Sequence, residues 1–283
     1  MSWIDQDFFD ANGYVVVKNV VPKALCDAVI AAEYAFLGFS PDTPENWYQL
    51  PLQRGGMLEI YQHQALWDTR QYPSVHDVFS EIYGTEKLWV SIDRANFNPP
   101  VHPAHSEYDH LGMIHWDIDP MEAHTAPFRV QGVLYLSDTP AERGGFCCVP
   151  GHHKLIERWA ATREKIPGAP EEGKRSPKDK SEITVVPIAA EAGDFVIWST
   201  RLLHGNGRNL SDQPRLAQYI TMSPERYHTD EAERRSRVTR WQERRNPDAF
   251  WAPGDPRGWE QKLGTTATLT ELGKKILGLE PWN

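Results

Sequence analysis

At 283 residues the chain is long enough for one large domain with appendages, and its 40% hydrophobic and 11% aromatic content excludes a disordered or fibrous protein. A formal charge of -9 leaves no overall positive field to gather nucleic acid or an anionic membrane. Cys26, Cys147 and Cys148 are odd in number and two are adjacent, which fits neither a disulfide framework nor a CxxC metal site and suits a reducing cytoplasm.

The start, MSWIDQDFFD, is acidic and predicts mature protein without a secretory signal. Residues 5–12 read as a short helix stopped by Gly13, YVVVKNV as a strand, and Pro22 opens a helical pattern through ALCDAVIAAEYAFLG. Residues 1–87 are thus expected to form a mostly helical layer. From 88 to 223 the pattern turns to short β-rich runs separated by Gly, Pro and Asp: LWVSIDRANF, GMIHWDID, VQGVLYLSD, GFCCVPG, ITVVPI, DFVIWST and RLAQYITMS. Many short strands between turn signals predict a sandwich or barrel. Residues 163–182, REKIPGAPEEGKRSPKDKSE, interrupt the series with charge, Pro and Gly and are expected to be a mobile loop, either a plain connection or a lid. Residues 225–245 read as a charged helix burying Val238 and Trp241, its arginines on a solvated face, within a helical extension over 224–283. A single domain over 1–283 is the expected organisation. No apolar run reaches the roughly 18 residues of a membrane span.

Chemistry concentrates in GMIHWDID, where His115, Asp117 and Asp119 alternate with apolar neighbours and share one face of an extended strand. Imidazole and carboxylate two residues apart can both reach a divalent first-row ion. In GDFVIWSTRLLHGNGRN, Val196, Trp198, Thr200, Leu202 and His204 fall on one strand face, which puts His204 at a strand end before Gly205. His115, Asp117 and His204 together make a 2-His-1-carboxylate set that leaves three octahedral positions open. Arg215, in PRLAQYITM, can return beside His204 and offers a guanidinium fork for a carboxylate, which suits the far end of a dicarboxylate such as 2-oxoglutarate.

These residues, with GGFCCVPGHHK at 144–154, LLHGNGRN at 202–209, FFDANGYVVVKNVVPKALCDAV near the start and LTELGKKILGLEPW at the end, resemble the phytanoyl-CoA dioxygenase family of iron(II)/2-oxoglutarate oxygenases. The resemblance implies a mainly β fold with flanking helices, a cupin-like double-stranded β-helix or jelly roll. It implies iron(II) on His115, Asp117 and His204, 2-oxoglutarate on Arg215, and Asn96 facing that cosubstrate; O₂ is the third reactant. Where the family usually reads PGSHK, this chain has His152 in place of Ser. Because Asp117 keeps the carboxylate, hydroxylation or a related oxidation of a small organic molecule is expected over halogenation.

Each residue also has a plainer reading. A strand histidine is more often a hydrogen-bonded core residue than a ligand, Asp119 is a rival carboxylate ahead of Pro120, and Arg215 could serve a surface ion pair. His102, His105, His110, His124, His152 and His153 permit a zinc site, and with it a hydrolase or isomerase, or a silent binding protein, on the same fold. Oligomeric state and the identity of the substrate are not legible.

Overall fold

The computed structural model describes residues 2–171, 173–228 and 230–282. Asp5 caps the first helix by accepting a 2.9 Å hydrogen bond from the Phe8 amide, an interaction worth about 1 kcal/mol. That helix, α1 (Gln6–Asn12), ends at Gly13, whose φ of 80° is left-handed. Strand β1 (Tyr14–Val17) follows at once, then α2 (Lys23–Leu37), α3 (Gln64–Arg70) and α4 (Pro73–Tyr83). The β-rich stretch gives β2 (Leu88–Val90), β3 (Ala95–Asn98), β4 (Ile114–His115), β5 (Val130–Tyr135) and β6 (Phe146–Cys148). After α5 (His152–Thr162) come β7 (Val186–Pro187), β8 (Phe195–Ser199), β9 (His204–Asn206), β10 (Arg215–Tyr219) and β11 (Met222–Pro224). Helices α6 (Glu231–Glu243), α7 (Trp259–Leu263) and α8 (Glu271–Leu277) complete the chain.

All strand pairs are antiparallel. A five-stranded sheet runs β1-β8-β5-β10-β3, a four-stranded sheet runs β4-β9-β6-β7, and β11 pairs with β2. These sheets with flanking helices are the expected jelly-roll class, without closing into a barrel. Period-two alternation explains the layering: in β8, Phe195 and Ile197 join α2, α3 and α4 in one apolar cluster, while Val196 and Trp198 point the other way and meet Phe146 and Cys148 of the second sheet. Behind that second sheet, Ile114, Trp116, Cys147 and Leu203 pack on Ile156 and Ala160 of α5. No helix among the described residues is long and apolar enough to cross a membrane.

Four sequence expectations need correction. GMIHWDID is strand only at Ile114–His115, because the Trp116 amide bonds the Arg175 carbonyl at 2.9 Å and not a neighbouring strand. His204 does not end the strand that begins at Phe195. A tight turn, with the Leu202 amide on the Ser199 carbonyl at 2.8 Å, carries the chain across to the other sheet, so His204 opens β9. Residues 163–182 are not a featureless loop: Pro170 and Pro177 form an antiparallel bridge, and the Glu171 amide bonds the Ser176 carbonyl at 3.0 Å, giving a hairpin whose Glu172 lies outside the described residues. The helix expected over 225–245 is a 3-10 turn at Glu225–Tyr227 followed by α6, and Arg237 is buried instead of solvated because three backbone carbonyls, those of Val90, Ile276 and Leu277, receive its guanidinium.

Candidate metal centre and cosubstrate pocket

The pairing of β4 with β9 sets His115 directly opposite His204. Opposed residues of an antiparallel pair project from the same face, so the two imidazole rings lie with centroids 4.9 Å apart. Gly205 permits this approach: a Cβ there would sit 1.9 Å from the Met113 carbonyl oxygen. Asp117, just past β4, comes round to the same side. Its Oδ1 is 3.3 Å from His115 Nε2 and its Oδ2 is 3.4 Å from His204 Nε2.

Around these three side chains the supports differ. His204 is buried, and its Nδ1 lies 2.9 Å from the Leu202 carbonyl. That contact favours the proton on Nδ1 and turns Nε2 toward the cluster, where it faces Asp117 and becomes a metal ligand on losing its own proton. Gln131 donates from Nε2 to Asp117 Oδ2 at 2.7 Å, and Arg175 donates from Nη1 to the Asp117 carbonyl at 2.8 Å. Burial works to raise the Asp117 pKa, but hydrogen bonds from His115 and His204, together with their charge, outweigh it and hold the carboxyl well below the usual range. The group is therefore a carboxylate, the form a metal needs.

One donor atom from each of the three residues lies within 4.8 Å of the others, and among the described residues no other group of histidine, cysteine and acidic side chains is so arranged. An octahedral ion about 2.1 Å from each donor would put neighbouring donors about 3 Å apart, close to the 3.3 and 3.4 Å between the Asp117 oxygens and the two imidazoles. The donor set fits iron(II).

The three residues open on a cavity of about 720 Å³ between the two sheets, lined from the five-stranded side by Gln131, Tyr135, Arg215 and Tyr219. Arg215 opens β10 and is 1% exposed. Its Nε donates to the Gly144 carbonyl at 3.1 Å, and its Nη2 has no partner among the described residues. Nearby Glu33 makes no hydrogen bond or ion pair with it among the described residues, and burial raises the Glu33 carboxyl well above its ordinary pKa against the pull of Arg215. His110, also on the cavity wall, is pushed down to about 4 by burial and by the Arg215 charge, and is neutral at physiological pH. A buried guanidinium without a carboxylate partner is suited to a ligand carboxylate.

Asn96 does not line the cavity. Its Nδ2 donates to the Gly55 carbonyl at 3.0 Å, and Gly55 and Met57 reach the cavity in its place. Asp119 caps the Pro120–Glu122 turn through the Met121 amide at 2.9 Å. The remaining histidines scatter: His102 and His105 pack on Tyr48, His152 contacts the Pro167 carbonyl at 3.0 Å and the Trp116 ring, and His153 contacts the Asp10 carbonyl at 3.2 Å. His152 thus ties α5 to the root of the 163–182 hairpin and to the HWD segment. Sequence reasoning missed Gln131, Tyr219 and Arg175, and named His110 only as a candidate zinc ligand; the one local signal was a lone glutamine among the apolar residues of VQGVLY.

A family model described as phytanoyl-CoA dioxygenase matches residues 9–217. The chain belongs to the phytanoyl-CoA dioxygenase family. A curated Dictyostelium discoideum protein named for phytanoyl-CoA dioxygenase is 24% identical over 267 residues, covering 77% of this chain and 74% of that protein. The solved epimerase SnoN, in complex with Fe3+, alpha ketoglutarate and nogalamycin RO, is similar with a TM-score of 0.51 at 17% identity, covering 77% of this chain and 81% of its own. The GlcNAc Inducible Gene 2 product of Candida albicans is similar with a TM-score of 0.72 at 13% identity, covering 100% of this chain and 78% of its own. Membership of the family makes this an oxygenase-type enzyme at the family level.

Proposed function

We propose that the chain is an iron(II)/2-oxoglutarate-dependent dioxygenase that hydroxylates, or otherwise oxidises, an unactivated C–H of a small organic molecule. The observation that carries this reading is one cavity walled both by the His115, Asp117 and His204 donors and by the unpaired buried Arg215. A zinc hydrolase has use for the first and none for the second. Iron(II) with 2-oxoglutarate and O₂ supplies oxidative decarboxylation to succinate and CO₂, and with it the oxidising power for the C–H.

The chain's own residues bind and orient. His115, Asp117 and His204 would hold the ion through three protein donors and leave room for other ligands. Arg215, with its open Nη2, would hold the far carboxylate of 2-oxoglutarate and so orient it in the cavity. Gln131 steadies Asp117 by donating to its Oδ2, and the Leu202 carbonyl orients the His204 ring through Nδ1. Tyr135, Phe146 and Trp198 keep the inner wall largely apolar and limit water. Asn96 acts on the cosubstrate only at one remove, by holding Gly55. Succinate production from 2-oxoglutarate with iron(II) under air tests the reading, and its absence under every metal and substrate condition would overturn it.

A further inference from the structure

The 720 Å³ cavity does not end at the metal donors. Asp93, Asp117, Gln131, Thr221 and Trp251 also line a second chamber of about 510 Å³. The two spaces meet along the Asp117–Gln131 hydrogen bond, so a molecule in the second chamber approaches the ion from that side. Its inner wall is apolar, with Trp89, Val90, Ile92 and Val130 buried against it. Two polar atoms on this wall, Trp89 Nε1 and Gln131 Oε1, are buried without a hydrogen-bond partner among the described residues.

The charges that line the chamber can be subtracted in turn. Asp117 belongs to the metal donors. Arg237 is satisfied by three carbonyls and its charge is faced by Glu233, which also contacts the His228 ring at 3.1 Å, a ring whose pKa burial lowers; Arg240 pairs with Asp248 at 2.6 Å. Asp93 faces Arg94 at 3.6 Å. What remains is Arg129, whose guanidinium lies 5.1 Å over the Tyr227 ring and whose side chain makes no hydrogen bond or ion pair with any described residue. One unmatched cation at the edge of an apolar chamber suits one anionic group, and falls short of what a polyphosphate would need.

We propose that this second chamber is the primary-substrate site and that it takes an organic monoanion with an apolar body, its anionic group on Arg129 and its reacting C–H brought past Gln131 to the metal. The proposal rests on the oxygenase reading for its reaction, and on the chamber alone for its binding. Burial of the apolar body supplies most of the affinity, and Arg129 supplies the choice of charge.

Calorimetric titration tests it, using protein saturated with iron(II) and 2-oxoglutarate under nitrogen so that neither the ion nor Arg215 competes. Hexanoate, decanoate and 4-phenylbutanoate are the probes, each against its alcohol and its amine. The wild type should prefer acid to alcohol by about tenfold, the scale of one charge-assisted contact. Arg129→Gln should abolish the preference, Arg129→Lys should keep most of it, and Arg129→Glu should turn it toward the amine. Arg235→Gln, on an exposed face of α6, should match wild type and serves as the control.

Failure to bind any of the acids, equal binding of acid and alcohol, or an acid preference that survives Arg129→Glu would overturn the proposal. Succinate assays separate the two readings. Arg129-dependent binding without succinate under any condition breaks the oxygenase reading and leaves the binding site standing. Succinate formation with an acid preference indifferent to Arg129 breaks this proposal alone.

Discussion

Two of the buried guanidinium groups, in different regions of the molecule, are treated in opposite ways. Behind the five-stranded sheet, Arg237 of α6 donates to the carbonyls of Val90, Ile276 and Leu277 and so joins α6, β2 and α8. Between the sheets, Arg215 has one carbonyl partner and a buried Nη2 with none among the described residues. Desolvating a cation is costly, and a fold recovers that cost only by supplying acceptors. The helical layer supplies them from its own backbone; the cavity leaves one donor of Arg215 open, which is what the proposed cosubstrate role asks of it.

The contrast breaks most sharply at the metal donors. Replacing His115, Asp117 or His204 by Ala should lower turnover by more than about 100-fold, beyond the loss usual for outer partners of a metal site, while thermal melting shows a folded protein. Near-normal activity and iron affinity in any one variant would remove that residue from the set. Arg215→Ala comes next. Apparent affinity for 2-oxoglutarate should fall by about 100-fold or more, since leaving one partner of a buried charge pair alone costs about 3–5 kcal/mol. Arg215→Lys should recover part of it, lacking the fork.

Arg237→Met should show the reverse pattern. Three backbone carbonyls lose a charged donor, so stability should drop by about 2–4 kcal/mol, read as a lower denaturant midpoint. The KM for 2-oxoglutarate should stay near that of the wild type. A loss of cosubstrate affinity equal to that of Arg215→Ala would erase the distinction between the two regions.

Titration gives the smallest effect, with opposite signs in the two regions. Glu260 in the helical layer accepts from the Tyr61 and Gln62 amides, and burial raises it to about 7. An acid with a raised folded pKa binds more protons folded than unfolded, so its contribution to stability declines as pH rises from about 4.5 to about 7. His110 on the cavity wall is pushed down to about 4. Its unfolded form binds more protons, so its contribution is lost as pH falls from about 6.5 toward 4. Denaturation midpoints across this range for Glu260→Gln and His110→Gln should therefore diverge from wild type in opposite directions, and parallel curves would refute the assignment of either shift.

That His115, Asp117 and His204 come together was legible because His115 and Asp117 lie two apart, His204 is marked by the glycine after it, and the combination resembles the family's motifs. The crossing between sheets was not, because DFVIWST is rich in strand formers, its alternation continues through Leu202 and His204, and the Ser199–Leu202 turn contains no Gly or Pro to announce it. The 163–182 hairpin was hidden for another reason. Its composition is that of a solvated loop, and what docks it, the Trp116 amide and the Asp117 carbonyl, lies far away in sequence. Gln131, Arg175 and Arg129 owe their positions to tertiary contacts that no local pattern encodes. Arg237 reversed its expected exposure because α8 and β2 brought carbonyls to it.

The facing of His115 and His204 across β4 and β9 has a consequence for how the chain finds its fold. Only two residues of β4 pair with β9, too few for the ladder itself to select its alignment strongly, and a slip by one residue would turn one imidazole to the opposite face. An ion that requires both rings binds only the correct alignment and stabilises it by mass action, by about 4 kcal/mol when present at a thousand times its dissociation constant. The cofactor would then proofread the strand register, and refolding with iron(II) should yield a more uniform native population than refolding in chelator.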